Sequence, residues 1–396
     1  MRRFDPNNFK VASSETARDI NRRTVLNLVR KHQPISRASL ARRSGMQRST
    51  VSAITEQLIS ERWVVEGATG HLPRGRKPTF LHLNSNRSGI VGVDVQPEVT
   101  TIAVCSMDMQ ILAHESMPTG REPEEFIKRL GVRVMDLMRA YPKSSYEGIG
   151  ISVPGRIDIA SQRLSFAPNL HWSDVDLATP LKKLTGLSVE LENAANACAL
   201  TELWSGRHGE GLSNLIAVTV SDGIGVGMIM NGQLLRGAQG VTGEFGHVSL
   251  DASGPECSCG NHGCWEVLAS NAAAVRYYSE FSSVAGSKTR MSPVRFSDLI
   301  RLVEQGDRKA CKALDQMAHQ LGAGLAILVT GLAPEVLVVV GEVTRAWDRV
   351  APIVARAIKQ RSRTHAQTRI LPTDPETWPR LRGALALIAE KHFTAP

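Results

Sequence analysis

The amino-acid sequence predicts an α/β body preceded by a small all-α or winged-helix N-terminal domain. The first supporting observation is charge, because residues 1–87 hold 17 Lys and Arg against 6 Asp and Glu, whereas the remaining residues hold 30 against 32. The second is periodicity: the basic segment repeats apolar residues at helical spacing, and short β-rich runs alternate with helices from residue 88 onward. The third is length, since 396 residues exceed one ordinary core and predict two or three domains.

The first predicted helix covers residues 16–32, "TARDINRRTVLNLVRKH", and ends before Pro34. Its arginines lie on one face, and the other face presents apolar side chains to a core: Ile20, Val25, Leu28 and Val29. A second helix follows, which Ser36 caps and Gly45 ends, with Leu40 and Ala41 facing inward.

The third predicted helix lies within residues 46–63 and has one apolar and one polar face. The apolar face consists of Val51, Ile54, Leu58 and Ile59. The polar face consists of Gln47, Arg48, Ser49, Thr50 and Ser52. A helix, a glycine turn and a second helix form a helix-turn-helix, whose second helix presents its N-terminal residues to base edges in the major groove.

Two short apolar runs after this helix, joined by a Gly, Pro and Arg turn, predict the hairpin of a winged helix-turn-helix domain within residues 18–85. The basic side chains at its tip would contact phosphate or the minor groove: Arg74, Arg76 and Lys77. Together with the local charge surplus, this pattern favours double-stranded DNA as a partner over a small helical domain with a solvated basic surface. Such modules usually bind palindromic operators as dimers.

Membrane association is not predicted. No amphipathic stretch with a Trp, Phe or Leu face is present, and the N-terminus lacks an apolar core of signal-peptide length. The most apolar region, residues 321–341, is interrupted by Pro334 and Glu335 and is interpreted as a buried helix, a turn and a buried strand. Six cysteines in a chain of this size do not form a disulfide framework, so a cytoplasmic location is expected.

Four stretches of the body carry a resemblance to a known family. They are "GIGISVPGRIDIASQRLSFAPNLHW", "ELENAANACALTELWSG", "VSDGIGVGMIMNGQLLRGAQGVTGEFGHVSL" and "CSCGNHGCWEVLAS". In order and spacing the chain resembles, over residues 88–396, the ROK family of repressors, open reading frames and kinases, and its N-terminal domain resembles that of the sugar-responsive repressor branch.

The resemblance implies an actin-like ATPase (ribonuclease H-like) body of two lobes with a sugar in the cleft between them. The expected domains are a flexible arm (1–17), the winged helix-turn-helix (18–85), a small α/β lobe (86–198, completed by helix 381–396) and a large α/β lobe with a metal site (199–380). A homodimer or homotetramer is expected.

A cluster within eighteen residues supplies one imidazole and three thiols: His247, Cys257, Cys259 and Cys264. This donor set saturates a tetrahedral ion and is typical of one structural Zn²⁺ per chain. The matching residues of the resembled family bind zinc. Free thiols or a strained Cys-x-Cys disulfide are the alternatives. The other three cysteines are interpreted as small core residues.

The resemblance assigns sugar contacts to five residues: Asn169, Asn193, Glu244, His247 and Glu266. Their acceptors and amides suit hydroxyl groups. A solvated loop charge is the alternative for Glu244 and Glu266, and a turn residue is an equally good interpretation of Asn169. Trp172, Trp204 and Trp265 are interpreted as packing residues.

The family's kinases carry an Asp, their general base, at the position of Ala194, and a methyl group accepts no proton. Three nucleotide-contacting loops also depart from the kinase pattern: Gln96 and Pro97 replace a glycine pair, Asp222 lies in a second loop, and Glu342 replaces a glycine in a third. No catalytic residue and no ATP are therefore expected. The sequence predicts a repressor of carbohydrate-metabolism genes controlled by a sugar or sugar phosphate. An active kinase with a DNA-binding appendage and a regulator that answers to a protein partner are the alternatives.

Overall fold

The computed structural model describes residues 14–69, 78–205, 212–237, 240, 242–282, 295–362 and 367–393. Its N-terminal domain consists of α1 (Ser14–His32), β1 (Ile35–Ser36), α2 (Arg37–Ser44), α3 (Arg48–Ser60), β2 (Val64–Thr69) and β3 (Thr79–Leu83). The strands form an antiparallel sheet of order β1-β3-β2, in which β2 and β3 are the two arms of the predicted hairpin. The tip residues 70–77, and with them Arg74, Arg76 and Lys77, lie outside the described residues.

The helix ends in this domain follow the predicted capping chemistry. The Ser36 hydroxyl accepts a hydrogen bond from the Ser39 backbone N–H at 3.2 Å, which satisfies a free donor at the start of α2. Gly45 ends α2 in the left-handed conformation with φ of 70°. The predicted inward faces of α2 and α3 are confirmed as buried or, for Ile59, partly buried: Leu40, Ala41, Val51, Ile54, Leu58 and Ile59.

The predicted inward face of α1 is wrong at its first position. Ile20 is exposed, with 37% of its surface accessible, whereas Leu26 is fully buried. The reason is that α1 packs on two surfaces, namely its own domain and the C-terminal helix of the body, so its buried face turns toward both. The helical periodicity of α1 was interpreted for a single core, so it did not predict the surface that packs on the C-terminal helix.

The first sheet of the body has five strands in the order β11-β7-β4-β5-β6. Strands β11, β7 and β4 are parallel, and β4, β5 and β6 form the predicted antiparallel meander. The elements here are β4 (Ser88–Val95), β5 (Val99–Ser106), β6 (Ile111–Pro118), α4 (Pro123–Ala140), β7 (Ser145–Val153), β8 (Arg156–Asp158), β9 (Arg163–Ala167), β10 (Trp172–Val175), α5 (Ala178–Thr185), β11 (Val189–Asn193) and α6 (Ala194–Ser205). Strands β8–β10 form a separate small sheet.

The second sheet of the body has the order β14-β13-β12-β15-β16. Its elements are β12 (Leu215–Val220), β13 (Ile224–Met230), β14 (Gln233–Leu234), α7 (Trp265–Ala269), α8 (Asn271–Ser282), α9 (Phe296–Glu304), α10 (Arg308–Leu332), β15 (Val336–Val340), α11 (Trp347–Arg361), β16 (Arg369–Pro372) and α12 (Pro379–Phe393). The apolar region 321–341 forms the end of α10, a turn and the buried strand β15, as predicted. In the described part of the chain, no helix has both the length and the apolar composition that crossing a membrane requires.

Helices α6 and α12 lie between the two sheets. Helix α12 packs against α6 and against β4 and β7 of the first sheet, and α6 also packs against β12 and β13 of the second. The two helices approach closely, because a Cβ atom at Gly383 would lie 1.9 Å from the carbonyl oxygen of Ala197. The lobe boundary at residue 198 stays a prediction, and α6 runs across it without interruption.

Candidate functional site

The four candidate metal ligands lie together at one end of the second sheet. The ligand atoms of His247, Cys257, Cys259 and Cys264 all lie within 4.8 Å of one another. The His247 Nδ1 atom is 3.6 Å from the Cys257 Sγ atom, and the Sγ atoms of Cys259 and Cys264 are also 3.6 Å apart. Thiolates at about 2.3 Å from a tetrahedral Zn²⁺ lie about 3.7 Å from each other, so the spacing fits such an ion. By donor type and by distance, the cluster could therefore hold a metal ion.

The backbone around the cluster is folded tightly enough to bring the ligands together. Gly263 has φ of 59°, and a Cβ atom there would lie 1.7 Å from the carbonyl oxygen of Asp251. Only glycine fits this position, which allows the chain to turn back and pair Ser249 with Cys264 as an isolated antiparallel bridge. Cys264 is also the residue that immediately precedes α7.

The loop before the cluster carries two of the predicted sugar contacts. Glu244 and His247 are the first and last residues of a short 3-10 helix, and the Glu244 Oε2 atom is 3.6 Å from the His247 Nε2 atom. The other Glu244 oxygen accepts a hydrogen bond from the Arg156 Nε atom of β8 at 3.3 Å. Both charged partners are more than a third exposed, so the ion pair contributes little to stability. Glu244 is thus part of a contact network around the metal site.

Glu266 lies in α7, the helix after the cluster, and its carboxylate is near Asn169, another predicted sugar contact. The Glu266 Oε2 atom accepts a hydrogen bond from the Ile224 backbone N–H at 3.0 Å. A Cβ atom at Gly223 would lie 2.5 Å from this oxygen and 4.0 Å from the Asn169 Nδ2 atom. A side chain at Gly223 would clash with the Glu266 carboxylate, so glycine allows that carboxylate to lie against the chain here, near the exposed Asn169 amide.

Asn193 lies at the junction of β11 and α6. Its Oδ1 atom accepts a hydrogen bond from the Ala195 backbone N–H at 2.8 Å, and its Nδ2 atom donates to the carbonyl oxygen of Gly155 at 2.7 Å. Because Gly155 precedes Arg156, this bond joins the Asn193 position to the Glu244 network. All five predicted sugar contacts are brought into one region, and their sugar-binding role stays a prediction.

An ion pair between buried Glu192 and partly exposed Arg236 was missed from the sequence. The Glu192 side chain, 2% exposed, accepts a hydrogen bond from the Arg236 Nε atom at 2.9 Å and one from the Asn196 Nδ2 atom at 2.9 Å. Arg236 follows β14 of the second sheet, so the pair connects the two sheets. The only signal in the sequence was the charge of Glu192 among apolar strand residues, and nothing there pointed to its partner 44 residues away.

Three turns at strand ends contain the residues that were compared above with the kinase pattern. Asp94, at the end of β4, is buried, accepts a hydrogen bond from Gln96 at 2.7 Å, and has its pKa raised by desolvation. Pro97 follows in an exposed turn. Asp222 is exposed in the tight turn between β12 and β13, and Glu342 begins the 3-10 helix after β15. Asp222 and Glu342 thus place carboxylates in two of the three turns, and Pro97 lies in the other.

The candidate nucleic-acid surface is the N-terminal end of α3. Gln47 immediately precedes the helix and makes no side-chain capping bond there, while Arg48 is its first residue. These two, together with Ser49 and Thr50, are exposed, and Ser52 is half-buried. Donors, acceptors and one guanidinium are thus presented together, as major-groove readout requires.

Comparison with known proteins agrees with the two-part architecture. A model of the ROK family matches residues 90–391, and a model of winged helix-turn-helix DNA-binding domains matches residues 18–65. The chain belongs to the ROK family. This ROK protein is 32% identical over 331 residues to the xylose repressor of Bacillus subtilis (strain 168), and the alignment covers 83% of each protein.

Two of the solved structures that resemble this ROK protein are a regulator and a kinase. A ROK family transcriptional regulator, described as a homologue of the Escherichia coli MLC protein, matches with a TM-score of 0.81 and 22% identity and covers 96% of this chain and 98% of its own. A ROK family glucokinase from Streptomyces griseus, in complex with glucose and AMPPNP, matches with a TM-score of 0.67 and 26% identity. That match covers 76% of this chain and 98% of the glucokinase. The predicted fold class, a winged helix joined to an actin-like α/β body, is confirmed.

Proposed function

We propose that this ROK protein is a DNA-binding repressor of carbohydrate-metabolism genes whose affinity for its operator is set by a sugar or sugar derivative bound in the body. The observation that carries the proposal is the exposed, polar N-terminal end of α3 on a winged helix-turn-helix domain that shares a core with a ROK body. The relative in Bacillus subtilis is named a xylose repressor. That name combines repression with a sugar, which supports the same role for this protein. A homodimer or homotetramer would place two copies of α3 on a palindromic operator.

DNA recognition is assigned to two surfaces of the domain. Side chains at the start of α3 would contact base edges, and the hairpin tip would contact phosphates. The full set consists of Gln47, Arg48, Ser49, Thr50, Ser52, Arg74, Arg76 and Lys77.

Sugar recognition is assigned to the region beside the metal cluster. Carboxylate oxygens accept hydrogen bonds from hydroxyl groups, and a side-chain amide both donates and accepts, so the five side chains together suit a polyol. They are Asn169, Asn193, Glu244, His247 and Glu266. The distances around Gly223 support this assignment, because they place the Glu266 carboxylate and the Asn169 amide close to the same backbone position.

Zinc is the ion that fits the cluster best, because three thiolates and one imidazole are its preferred ligands and leave no open coordination position. His247, Cys257, Cys259 and Cys264 would hold it. Two of these ligands belong to the segments of the predicted sugar contacts: His247 lies in the 3-10 helix that carries Glu244, and Cys264 precedes the helix that carries Glu266. The role of the bound ion is therefore to fix the relative positions of the sugar-binding side chains.

The altered kinase positions support binding without phosphoryl transfer. Ala194 offers a methyl group where a general base is needed, and loss of a general base typically reduces the rate by about 10²–10⁴. Pro97 has no N–H to donate to a phosphate, and the carboxylates of Asp222 and Glu342 would repel a nucleotide. Each change alone leaves a slow enzyme, whereas together they remove both the proton acceptor and the phosphate-binding surfaces.

An active sugar kinase is the second candidate, favoured by the match to the Streptomyces griseus glucokinase. A coupled ADP-release assay with D-xylose, D-glucose and N-acetyl-D-glucosamine separates the two candidates. We expect no sugar-dependent ADP release above the background of the Asn193→Ala variant. Turnover of about 1 s⁻¹ or faster, within the ordinary range of enzymes, would show that the protein is a kinase.

The hairpin tip gives a further prediction, which concerns salt. Replacing Arg74, Arg76 and Lys77 together with alanine should flatten the dependence of operator affinity on salt, because each lost phosphate contact reduces the logarithmic slope by about 0.9. The measurement is operator affinity between about 50 and 200 mM salt. A matched control replaces three exposed basic residues of the body, Arg139, Lys182 and Lys183, with alanine. If the hairpin variant keeps the parental slope, the wing does not contact phosphate.

A further inference from the structure

Helix α6 connects the predicted sugar region directly to the DNA-binding domain. Its first turn begins at Ala194, where the Asn193 side chain bonds to the Ala195 N–H. Its twelve residues span about 18 Å and end at Ser205. Because backbone hydrogen bonds make a helix stiff along its axis, displacement of one end of α6 moves the other end as well.

The far end of α6 is held by an arginine of the DNA-binding domain. The Arg30 Nη1 atom of α1 donates a hydrogen bond to the carbonyl oxygen of Trp204 at 3.3 Å. The guanidinium also lies 4.2 Å from the centre of the Trp204 ring and 5.7 Å from that of Phe393 in α12. The two rings themselves meet edge to face with centroids 5.7 Å apart. Arg30 is thus enclosed by the last residues of α6 and α12.

The second helix of this junction cannot slide freely past the first. The close approach of Gly383 to the Ala197 carbonyl leaves no room for a side chain between α6 and α12. The end of α12 also contacts the DNA-binding domain: the Phe393 ring lies 6.4 Å from that of Trp63, and the Lys391 carbonyl accepts a hydrogen bond from the Arg23 Nη1 atom at 2.9 Å. The paired helices therefore present one surface to the DNA-binding domain.

The strength of the contact between Arg30 and its partners in α6 and α12 depends on the orientation of the guanidinium. Burial lowers the pKa of the Arg30 guanidinium to about 10, so the group stays protonated at neutral pH. A planar cation that is removed from water needs the faces of its aromatic partners and the carbonyl at fixed angles. A small movement of α6 therefore changes the energy of this contact more than it changes an apolar contact of the same area.

We propose that α6 transmits sugar occupancy to the DNA-binding domain and that Arg30, through Trp204, is the positioning residue that couples them. The proposal rests on the proposed function. A sugar that engages the Asn193 amide competes with the bonds that hold the start of α6, and the helix shifts. The shift reorients α1, and with it the α3 helices that two copies present to the operator.

The test measures the ratio of operator affinities with and without saturating sugar, using the sugar among D-xylose, D-glucose and N-acetyl-D-glucosamine that calorimetry shows to bind. We expect a ratio of about 5–150 for the parent and about 1 for Arg30→Met and Trp204→Leu. Arg30→Lys keeps the charge without the planar fork and should recover part of the ratio. Sugar affinity in the absence of DNA should be unchanged in all three variants.

The control is Arg18→Met, the same chemical change at an exposed position of the same helix, which should keep the parental ratio. A merely structural contact would lower both operator affinities equally and leave the ratio intact, and that result overturns the proposal. Absence of DNA or sugar binding by the parent protein itself would instead overturn the proposed function. The two failures are therefore distinguished within one experiment.

Discussion

The Cys264→Ser variant is expected to be purified without metal, and the parent protein is expected to carry one zinc ion per chain. Cys264 is fully buried, and its Sγ atom is 3.6 Å from that of Cys259. Structural zinc sites bind with about 10–16 kcal/mol of apparent free energy at pH 7, and an uncharged hydroxyl does not replace a thiolate in this role. Elemental analysis of purified protein measures the metal content directly.

The same variant should lose its response to sugar, because a bound ion would hold His247, in the loop of Glu244, against Cys264, at the start of the helix of Glu266. The substitution should have little effect on the folding of the DNA-binding domain, since that domain has its own buried residues in α1, α2 and α3. Cys311→Ser is the matched control, because Cys311 lies in α10 and outside the cluster. A metal-free Cys264→Ser protein with a full sugar response would show that zinc does not shape the sugar site.

The Arg48→Ala variant should bind the operator about 5–150-fold more weakly, because one good contact between an arginine and a base edge contributes about 1–3 kcal/mol of discrimination. Arg48 is exposed at the first position of α3, so its replacement leaves the buried face of the helix intact. Fluorescence anisotropy with a labelled operator measures the change.

Sequence preference separates this loss from a general loss of positive charge. Binding of Arg48→Ala to unrelated duplex should fall much less than its binding to the operator, so that specificity at one base pair is relaxed. Arg139→Ala, an exposed arginine of α4 in the body, is the control and should match the parent on both duplexes. Equal losses of Arg48→Ala on both duplexes would place Arg48 on phosphate instead of a base.

Local chemistry made the N-terminal domain predictable from the sequence. Ser36 and Gly45 act within a few residues of their own positions, and both were predicted at the correct ends of α2. The burial of α1 was less predictable, since Ile20 is exposed where the pattern placed it in the core. Part of the α1 surface packs on α12, where Arg23 bonds to Lys391, 368 residues away in the chain, and periodicity carries no information about such a partner.

In the candidate site, too, contacts between nearby residues were predictable from the sequence and contacts between distant residues were not. The metal ligands lie within eighteen residues, so their spacing alone indicated a cluster, and the structure brings their atoms within 4.8 Å. The contacts of Arg156 with Glu244, of Arg236 with Glu192, and of Arg30 with Trp204 join positions 88, 44 and 174 residues apart. An arginine in a sequence has many acceptable partners, and only the packing of the sheets and helices selects one.

The most direct test of a sugar-controlled DNA reader is the affinity of the full-length protein for a duplex that it has selected from a randomised pool, measured with and without sugar. At physiological salt the account predicts a Kd of about 10⁻⁸–10⁻¹¹ M. Saturation with the sugar that binds, among the three named above, should change this Kd about 5–150-fold. Binding at only about 10⁻⁴–10⁻⁶ M, with no preferred sequence and no change on addition of any of the sugars, would contradict it.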